Sequence, residues 1–309
     1  MLPAWVNRAL LACAASVVAL ALPATASAHS RQSTVALDYR LTLDRTPAGI
    51  HVAILDGDRG LRLDAKGTVV VLGDLGEPML RFATGVWVNE RSPTAQANRL
   101  IGVAGTGWRK LANGNSFAWH EHRLAPPPYG LGRSGAGWTI PVVVAGRGEV
   151  LAGSFLRMPR PHWWLWLGGA ALAVAAAAAA VRLRPRIGSA ITIVAGLAAG
   201  AAALTAQTAF ALRDSPRGST SWASLAIAAV VAIVAAGLIA VGRGARRAYV
   251  AGAIGAGVAA LTLSWLGVFL HGAVIAALPA NPVRVLCVVA LGGGVIALVG
   301  SLSVRVEGT

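Results

Sequence analysis

Cysteine and acidic residues are scarce in this chain of 309 residues. There are only two cysteines, Cys13 and Cys287, and 12 Asp and Glu stand against 27 Lys and Arg. Cys13 falls in an N-terminal leader and Cys287 in a long apolar run, so the segment of mixed polarity between them has to fold without a disulfide. No Asp, Glu or Lys falls within the predicted membrane spans, which disfavours a proton- or ion-driven transporter.

Several motifs of common enzyme classes are also missing. The sequence has no P-loop and no Gly-rich turn that joins a strand to a helix, so it offers no sign of nucleotide binding. No serine, cysteine or carboxylate constellation for hydrolysis stands out. The net charge of +15 is spread over the predicted outer domain and the membrane loops, so we expect no nucleic-acid partner.

The first 28 residues predict a secretory signal peptide. An apolar stretch at 9–22 is followed by Pro23 and by Ala26-Ser27-Ala28, which is an A-x-A cleavage site. Cleavage there would make His29 the first residue of the mature protein. The alternative is lipoprotein processing at Cys13, but only four residues separate Arg8 from Cys13, which is too short for an apolar region of about 7–15 residues.

Residues 29–160 predict an antiparallel β-sandwich of about seven short strands. Apolar and polar residues alternate at 35–43 and 50–54, and Asn113-Gly114 is a hairpin-turn signal ahead of a predicted strand at 116–124. The segment 90–98 is expected to be a loop. Further strands are expected at 68–72, 79–89, 138–144 and 149–156.

Residues 161–309 predict a bundle of about five transmembrane helices, each near the ~20 residues that a bilayer requires. Three arginines follow the first predicted helix and three follow the third, whereas the loops after the second and the fourth carry fewer: Arg213 and Arg217 with Asp214, and then Arg284 alone. This bias predicts a multi-pass cell-membrane protein with the β domain outside the cytoplasm and a cytoplasmic C-terminus. The five helices are expected at 163–181, 187–212, 221–242, 249–271 and 284–303.

The histidines suggest a metal site. A leading His29 offers its α-amine and its ring, and His120 and His122 are two apart in a predicted strand. Alternation places these two rings on one face, with Cα atoms about 6.6–6.8 Å apart. Trp119 and Glu121 then project the other way, and we expect no pair between Glu121 and Arg123. An all-nitrogen set suits copper(II), with zinc as the alternative metal.

The same residues carry a family resemblance. The run Phe117-Ala118-Trp119-His120-Glu121-His122, the Pro/Gly-rich stretch after it and Trp138-Thr139-Ile140 resemble the N-terminal cupredoxin-type domain found in one subunit of the copper membrane monooxygenases. The combination of a leading histidine with a later histidine pair is also similar to that of CopC-type periplasmic copper-binding proteins. Both resemblances imply copper ligation by His29, His120 and His122. The chain departs from the monooxygenase subunit in having about five helices rather than two, which argues against assembly into such an enzyme.

A second resemblance adds no mechanism. Gly76–Arg81 and Ser92-Pro93-Thr94 resemble an actinobacterial-type family of membrane proteins with no settled activity.

Three functional hypotheses follow from these patterns. The first is an extracytoplasmic copper-binding membrane protein that handles or delivers copper, with a histidine brace at its mature N-terminus. The second is a metal-free membrane scaffold or accessory subunit that binds a membrane protein partner as well as lipid. The third is a copper-dependent monooxygenase-like subunit, although nothing in the sequence marks a substrate cleft.

Overall fold

The computed structural model describes residues 37–55, 59–127, 130–131, 135–213, 237 and 245–303. The predicted signal peptide, His29 and, apart from residue 237, the predicted helix at 221–242 lie outside these residues. The chain divides into two compact units, and the main boundary between them falls between Pro159 and Arg160.

The first unit is built from β-strands. Ten strands are present in its described residues: β1 (Tyr39–Leu41), β2 (Ile50–Leu55), β3 (Gly60–Ala65), β4 (Val69–Leu72), β5 (Pro78–Phe82), β6 (Val86–Asn89), β7 (Trp108–Ala112), β8 (Ser116–His120), β9 (Gly137–Val144) and β10 (Arg147–Arg157). One sheet has the order β1-β10-β9-β4-β5-β6-β7, and the other has the order β2-β3-β8. All strand pairs are antiparallel, which confirms the predicted β-sandwich class.

Both sheets contribute to one hydrophobic core. Period-two alternation accounts for it, because each strand projects every second side chain inward. In β9 these inward residues are Trp138, Ile140 and Val142, and β3 contributes Leu61 and Leu63 from the smaller sheet.

Most of the predicted strands are present, but some of their boundaries differ. The predicted strand 79–89 is two strands, β5 and β6, because a turn at Gly85 (φ +138°) folds the chain back on itself. Strands β3 and β7 were not predicted. The expected loop 90–98 contains a short helix, α1 (Pro93–Ala97), whose N-cap Ser92 accepts a hydrogen bond from the Ala95 N–H at 3.1 Å.

The second unit is helical. Its described helices are α2 (Trp163–Leu183), α3 (Pro185–Ala211), α4 (Ala245–Leu263) and α5 (Ala280–Ser303), with a 3₁₀ turn at Leu266–Phe269. Three described segments are long and apolar enough to cross a membrane: Trp163–Leu183, Ile187–Ala211 and Ala280–Ser303. This agrees with a β domain followed by membrane helices. The predicted helix 249–271 is instead α4 followed by the 3₁₀ turn.

Small residues let α5 pack closely against its neighbours. A Cβ added to Gly255 of α4 would lie 2.5 Å from the carbonyl oxygen of Gly294, and one added to Gly293 would lie 3.0 Å from that of Ala195 in α3. Such close backbone approach is typical of helix packing in membranes, where small residues line the contact.

Helix α5 begins at Ala280 rather than at the predicted residue 284, so Arg284, which was counted with the preceding loop, lies one turn inside the helix. The side chain is buried, and its Nε donates to the carbonyl of Val268 at 2.9 Å. Its Nη2 donates to the carbonyls of His271 and Gly272 at 3.0 and 3.1 Å. The guanidinium therefore fixes the connection between α4 and α5, because it donates to three backbone carbonyls of that connection.

Candidate functional site

The proposed ligands His120 and His122 lie at the end of β8. His120 is the last residue of the strand, opposite Gly60 of β3, whereas His122 begins a 3₁₀ turn, His122–Leu124. The prediction that both lie in one strand was therefore wrong. The strand ends because the side chain of Glu121 caps the 3₁₀ turn, where it accepts the N–H of Arg123 at 3.3 Å.

Glu121 is a buried centre of hydrogen bonding. Its side chain has no exposed surface, and its Oε2 accepts the indole N–H of Trp119 at 2.9 Å. Trp119 and Glu121 thus project to the same inner side, as alternation predicted. Arg123 nevertheless reaches the same carboxylate, and its Nε and Nη2 lie 2.8 and 2.9 Å from Oε1 and Oε2. The expectation that Glu121 and Arg123 do not pair was wrong, because residues two apart along a strand share a face, and Arg123 keeps the side of Trp119 and Glu121 at the start of the 3₁₀ turn.

Two opposing effects set the charge state of Glu121. Burial by itself raises the pKa of this carboxyl group. The hydrogen bonds and positive charge of Arg123, with the Trp119 N–H and the His122 ring nearby, outweigh burial and hold the pKa below its ordinary value. Glu121 is therefore an anion in the folded protein at neutral pH.

Asn98 connects this buried anion to the ring of His122. The side-chain N–H of Asn98 donates to Oε2 of Glu121 at 3.1 Å, and its Oδ1 accepts the backbone N–H of His122 at 2.9 Å. These two bonds fix which end of the amide is the acceptor. The same Oδ1 lies 2.6 Å from Nδ1 of His122, so Nδ1 is the donor in that contact. The network therefore sets the orientation of the imidazole.

The other ring nitrogen of His122 faces a carboxylate. Nε2 lies 2.8 Å from Oδ2 of Asp74, and about a third of the His122 side chain is exposed, at 34%. Asp74 sits in a turn after β4, and its backbone N–H donates to Oγ1 of Thr94 at 2.8 Å. A ring with hydrogens on both nitrogens satisfies both acceptors at once. A metal ion at Nε2 would have to displace the contact with Asp74.

A second carboxylate, Glu77, holds this turn together. Its Oε1 accepts the Ser92 hydroxyl at 2.6 Å, and its Oε2 accepts the N–H of Leu75 at 3.1 Å. Burial raises the pKa of Glu77, but the hydrogen bonds from Ser92 and Thr94 outweigh burial and keep the pKa below its ordinary value. Glu77 thereby ties the N-terminus of α1 to the turn that carries Asp74.

Two of the three predicted ligands lie in the described residues. His29 lies outside the described residues, and His120 and His122 share one end of the β unit. Within the described ranges, no group of three or more His, Cys, Asp or Glu side chains is arranged to hold a metal ion. Asp74 and Asn98 are the residues that the sequence analysis missed. They lie 48 and 24 positions from His122, so no local pattern could link them to it.

Comparisons of the chain with protein-family models, with curated proteins and with solved structures found no match in any of the three.

Proposed function

We propose that this is a membrane-anchored protein whose β unit binds copper(II) through His120 and His122, with His29 completing the site after signal cleavage. In this proposal the β unit lies outside the cytoplasm, the C-terminus lies inside, and the protein handles or delivers copper. Zinc is the alternative metal. The membrane lipid and a membrane protein that exchanges copper are its partners.

One observation carries the proposal. Metal-bound histidines generally donate their second ring N–H to a fixed acceptor, which orients the ring and makes it a better ligand. His122 has such an acceptor in Oδ1 of Asn98, and the buried Glu121 holds Asn98 in place. In this proposal the ligand atom is Nε2, at the partly exposed edge of the ring, where the metal ion would displace the contact with Asp74.

The rings of His120 and His122 alone do not complete a copper site. They supply two imidazoles, which suit copper(II), and the proposal assigns the amine and ring of residue 29 to the remaining positions. A metal ion held in this way would be available for transfer to a partner. Binding at Nε2 releases a proton, so copper affinity is expected to fall as the pH is lowered.

The proposal can be tested on full-length protein purified from membranes. We expect copper(II), titrated against a competing chelator, to bind at one site, with the affinity reduced about tenfold or more in His122→Ala and in His120→Ala. His51→Ala is the matched control, because His51 is an exposed strand histidine whose Nδ1 contacts Asp64 at 3.3 Å. Mass spectrometry of the N-terminus establishes whether residue 29 is the first residue.

Two results would reject the copper proposal. The first is wild-type protein that binds neither copper nor zinc. The second is His122→Ala with the copper affinity of His51→Ala. One extra residue in front of His29 should also weaken binding, and unchanged affinity would remove residue 29 from the site.

A metal-free scaffold is the second candidate, and the contact between Nε2 of His122 and Asp74 favours it. With acceptors on both ring nitrogens, His122 joins the turn after β4 to the end of β8. In that case His122→Ala lowers the stability of the β unit and changes no metal binding.

A further inference from the structure

A row of side chains crosses the outer face of the larger sheet near its β7 edge. Arg81 of β5 lies directly opposite Trp87 of β6, and Trp87 lies opposite Lys110 of β7. Directly opposed residues in antiparallel strands project to the same face. The neighbours of Arg81 in β5, Leu80 and Phe82, are fully buried in the core. Arg81, Trp87 and Lys110 therefore project away from the core.

Cations and indole rings interleave along this row. The guanidinium carbon of Arg81 lies 4.8 Å from the ring centroid of Trp108 and 5.8 Å from that of Trp87. Nζ of Lys110 lies 5.6 Å from the centroid of Trp87. All three distances fall within the range of cation–π contacts. We call Arg81, Trp87, Trp108 and Lys110 the indole–cation face.

The two cations of this face keep their charge uncompensated. Among the residues that the structure describes, neither Arg81 nor Lys110 forms an ion pair, and Nε of Arg81 has no hydrogen-bond acceptor. Arg109 on the same strand differs, because its Nε binds Glu90 at 2.9 Å. The indole–cation face therefore presents fixed positive charge to whatever lies over it.

Aliphatic side chains extend this face toward the centre of the sheet. Val70 of β4 lies opposite Arg81, and Val143 of β9 lies opposite Val70. Both valines are half-buried, and Trp108 at the edge is 36% exposed. Aliphatic, indole and basic groups together are typical of surfaces that contact the headgroup region of a bilayer. Among its described residues, the same chain carries three helices long and apolar enough to cross a bilayer.

We propose that the indole–cation face binds the anionic headgroups of the membrane in which the helices are anchored. The phosphate groups meet Arg81 and Lys110, and the exposed ring of Trp108 enters the headgroup layer. This proposal is independent of copper binding, since the face shares no residue with the copper site proposed above. An acidic protein could also bind Arg81 and Lys110, but the half-buried Val70 and Val143 beside them favour lipid.

The lysine content allows a direct test on the full chain. Lys66 and Lys110 are the only lysines, and Lys66 is exposed beyond the end of β3. Full-length protein in phosphatidylcholine nanodiscs is compared with protein in nanodiscs that also contain phosphatidylglycerol. Both samples are treated with an amine-acylating reagent, and mass spectrometry gives the ratio of Lys110 to Lys66 modification. We expect anionic lipid to lower this ratio about fivefold, and about 1 M salt to restore it.

Matched variants identify the groups responsible. Trp108→Ala and Arg81→Gln should each return the ratio toward its value in neutral lipid, whereas Arg62→Gln, on the smaller sheet, should leave it unchanged. The stability of both variants is measured, and if Arg81→Gln fails to fold, a stable Trp108→Ala still tests the face. Equal ratios in the two lipids would overturn the proposal, whether Lys110 is open in both or protected in both, because protein rather than anionic lipid would then decide its exposure.

Discussion

Replacement of Glu121 by glutamine tests the network that positions the candidate site. The substitution keeps the shape of the side chain and removes its charge. It also turns one oxygen into an N–H₂ group that faces donors. Oε2 accepts bonds from Trp119, Asn98 and Arg123, and Oε1 accepts two more from Arg123. No orientation of the glutamine amide can satisfy both sets.

The magnitude follows from burial. Removal of one partner from a buried ion pair typically costs about 3–5 kcal/mol, because the other charge stays buried without compensation. The Arg123 side chain is 13% exposed and keeps a bond to the carbonyl of Leu72 at 3.0 Å, which places the cost near the lower bound. We therefore expect Glu121→Gln to lower the free energy of unfolding of the β unit by about 3 kcal/mol.

Urea unfolding of full-length protein in detergent, followed by pulse proteolysis, measures this change. With a slope near 2 kcal/mol per molar urea, the midpoint should fall by about 1.5 M. Glu149→Gln is the matched control, since its contact with Arg45 is long, at 3.5 Å, and exposed. An exposed pair contributes about 0–1 kcal/mol, so the midpoint of the control should barely move. Equal shifts in the two variants would refute the argument that Glu121 is the buried centre of the network.

Three further predictions concern the same chain. The pKa values of Glu121 and Glu77 are lower in the folded than in the unfolded state, so their stabilisation is complete above the ordinary carboxyl pKa. The urea midpoint should therefore fall as the pH drops below about 4.5, and a flat profile would contradict these shifts. Gly255→Ala should lower the thermal midpoint of the helical unit by several degrees, at about 1–3 kcal/mol, whereas Gly168→Ala, whose Cβ meets no atom among the described residues, should not. Arg284→Gln should speed amide hydrogen exchange in the 3₁₀ turn before α5, and unchanged exchange would show that Arg284 does not fix this connection.

The local sequence pattern was sufficient to predict those elements whose conformation depends mainly on their own residues. The alternation at 50–54 and 138–144 predicted β2 and β9, because the period of side-chain burial is a property of the strand itself. The long apolar runs predicted α2, α3 and α5, because length and hydropathy are also properties of the segment itself. The error at 79–89 arose at Gly85, where one residue with positive φ turns a continuous apolar run into a hairpin.

For the candidate site too, some features could be predicted from the sequence and others could not. The sequence drew attention to His120 and His122 and predicted that Trp119 and Glu121 share the opposite side. It missed the pair between Glu121 and Arg123, although residues two apart along a strand share a face. It also missed Asp74 and Asn98, since neither carries a motif that refers to His122.

The amino-acid sequence by itself determined the β class, the apolar helices behind it and the histidine pair, because hydrophobic periodicity and residue spacing are local quantities. Only the tertiary structure decided what surrounds that pair. Asp74 and Asn98 come from two other turns, and they meet at the His122 ring because two sheets close over one core. A buried carboxylate is stable only beside donors that can compensate its charge, and the fold, rather than any short stretch of sequence, brings those donors together.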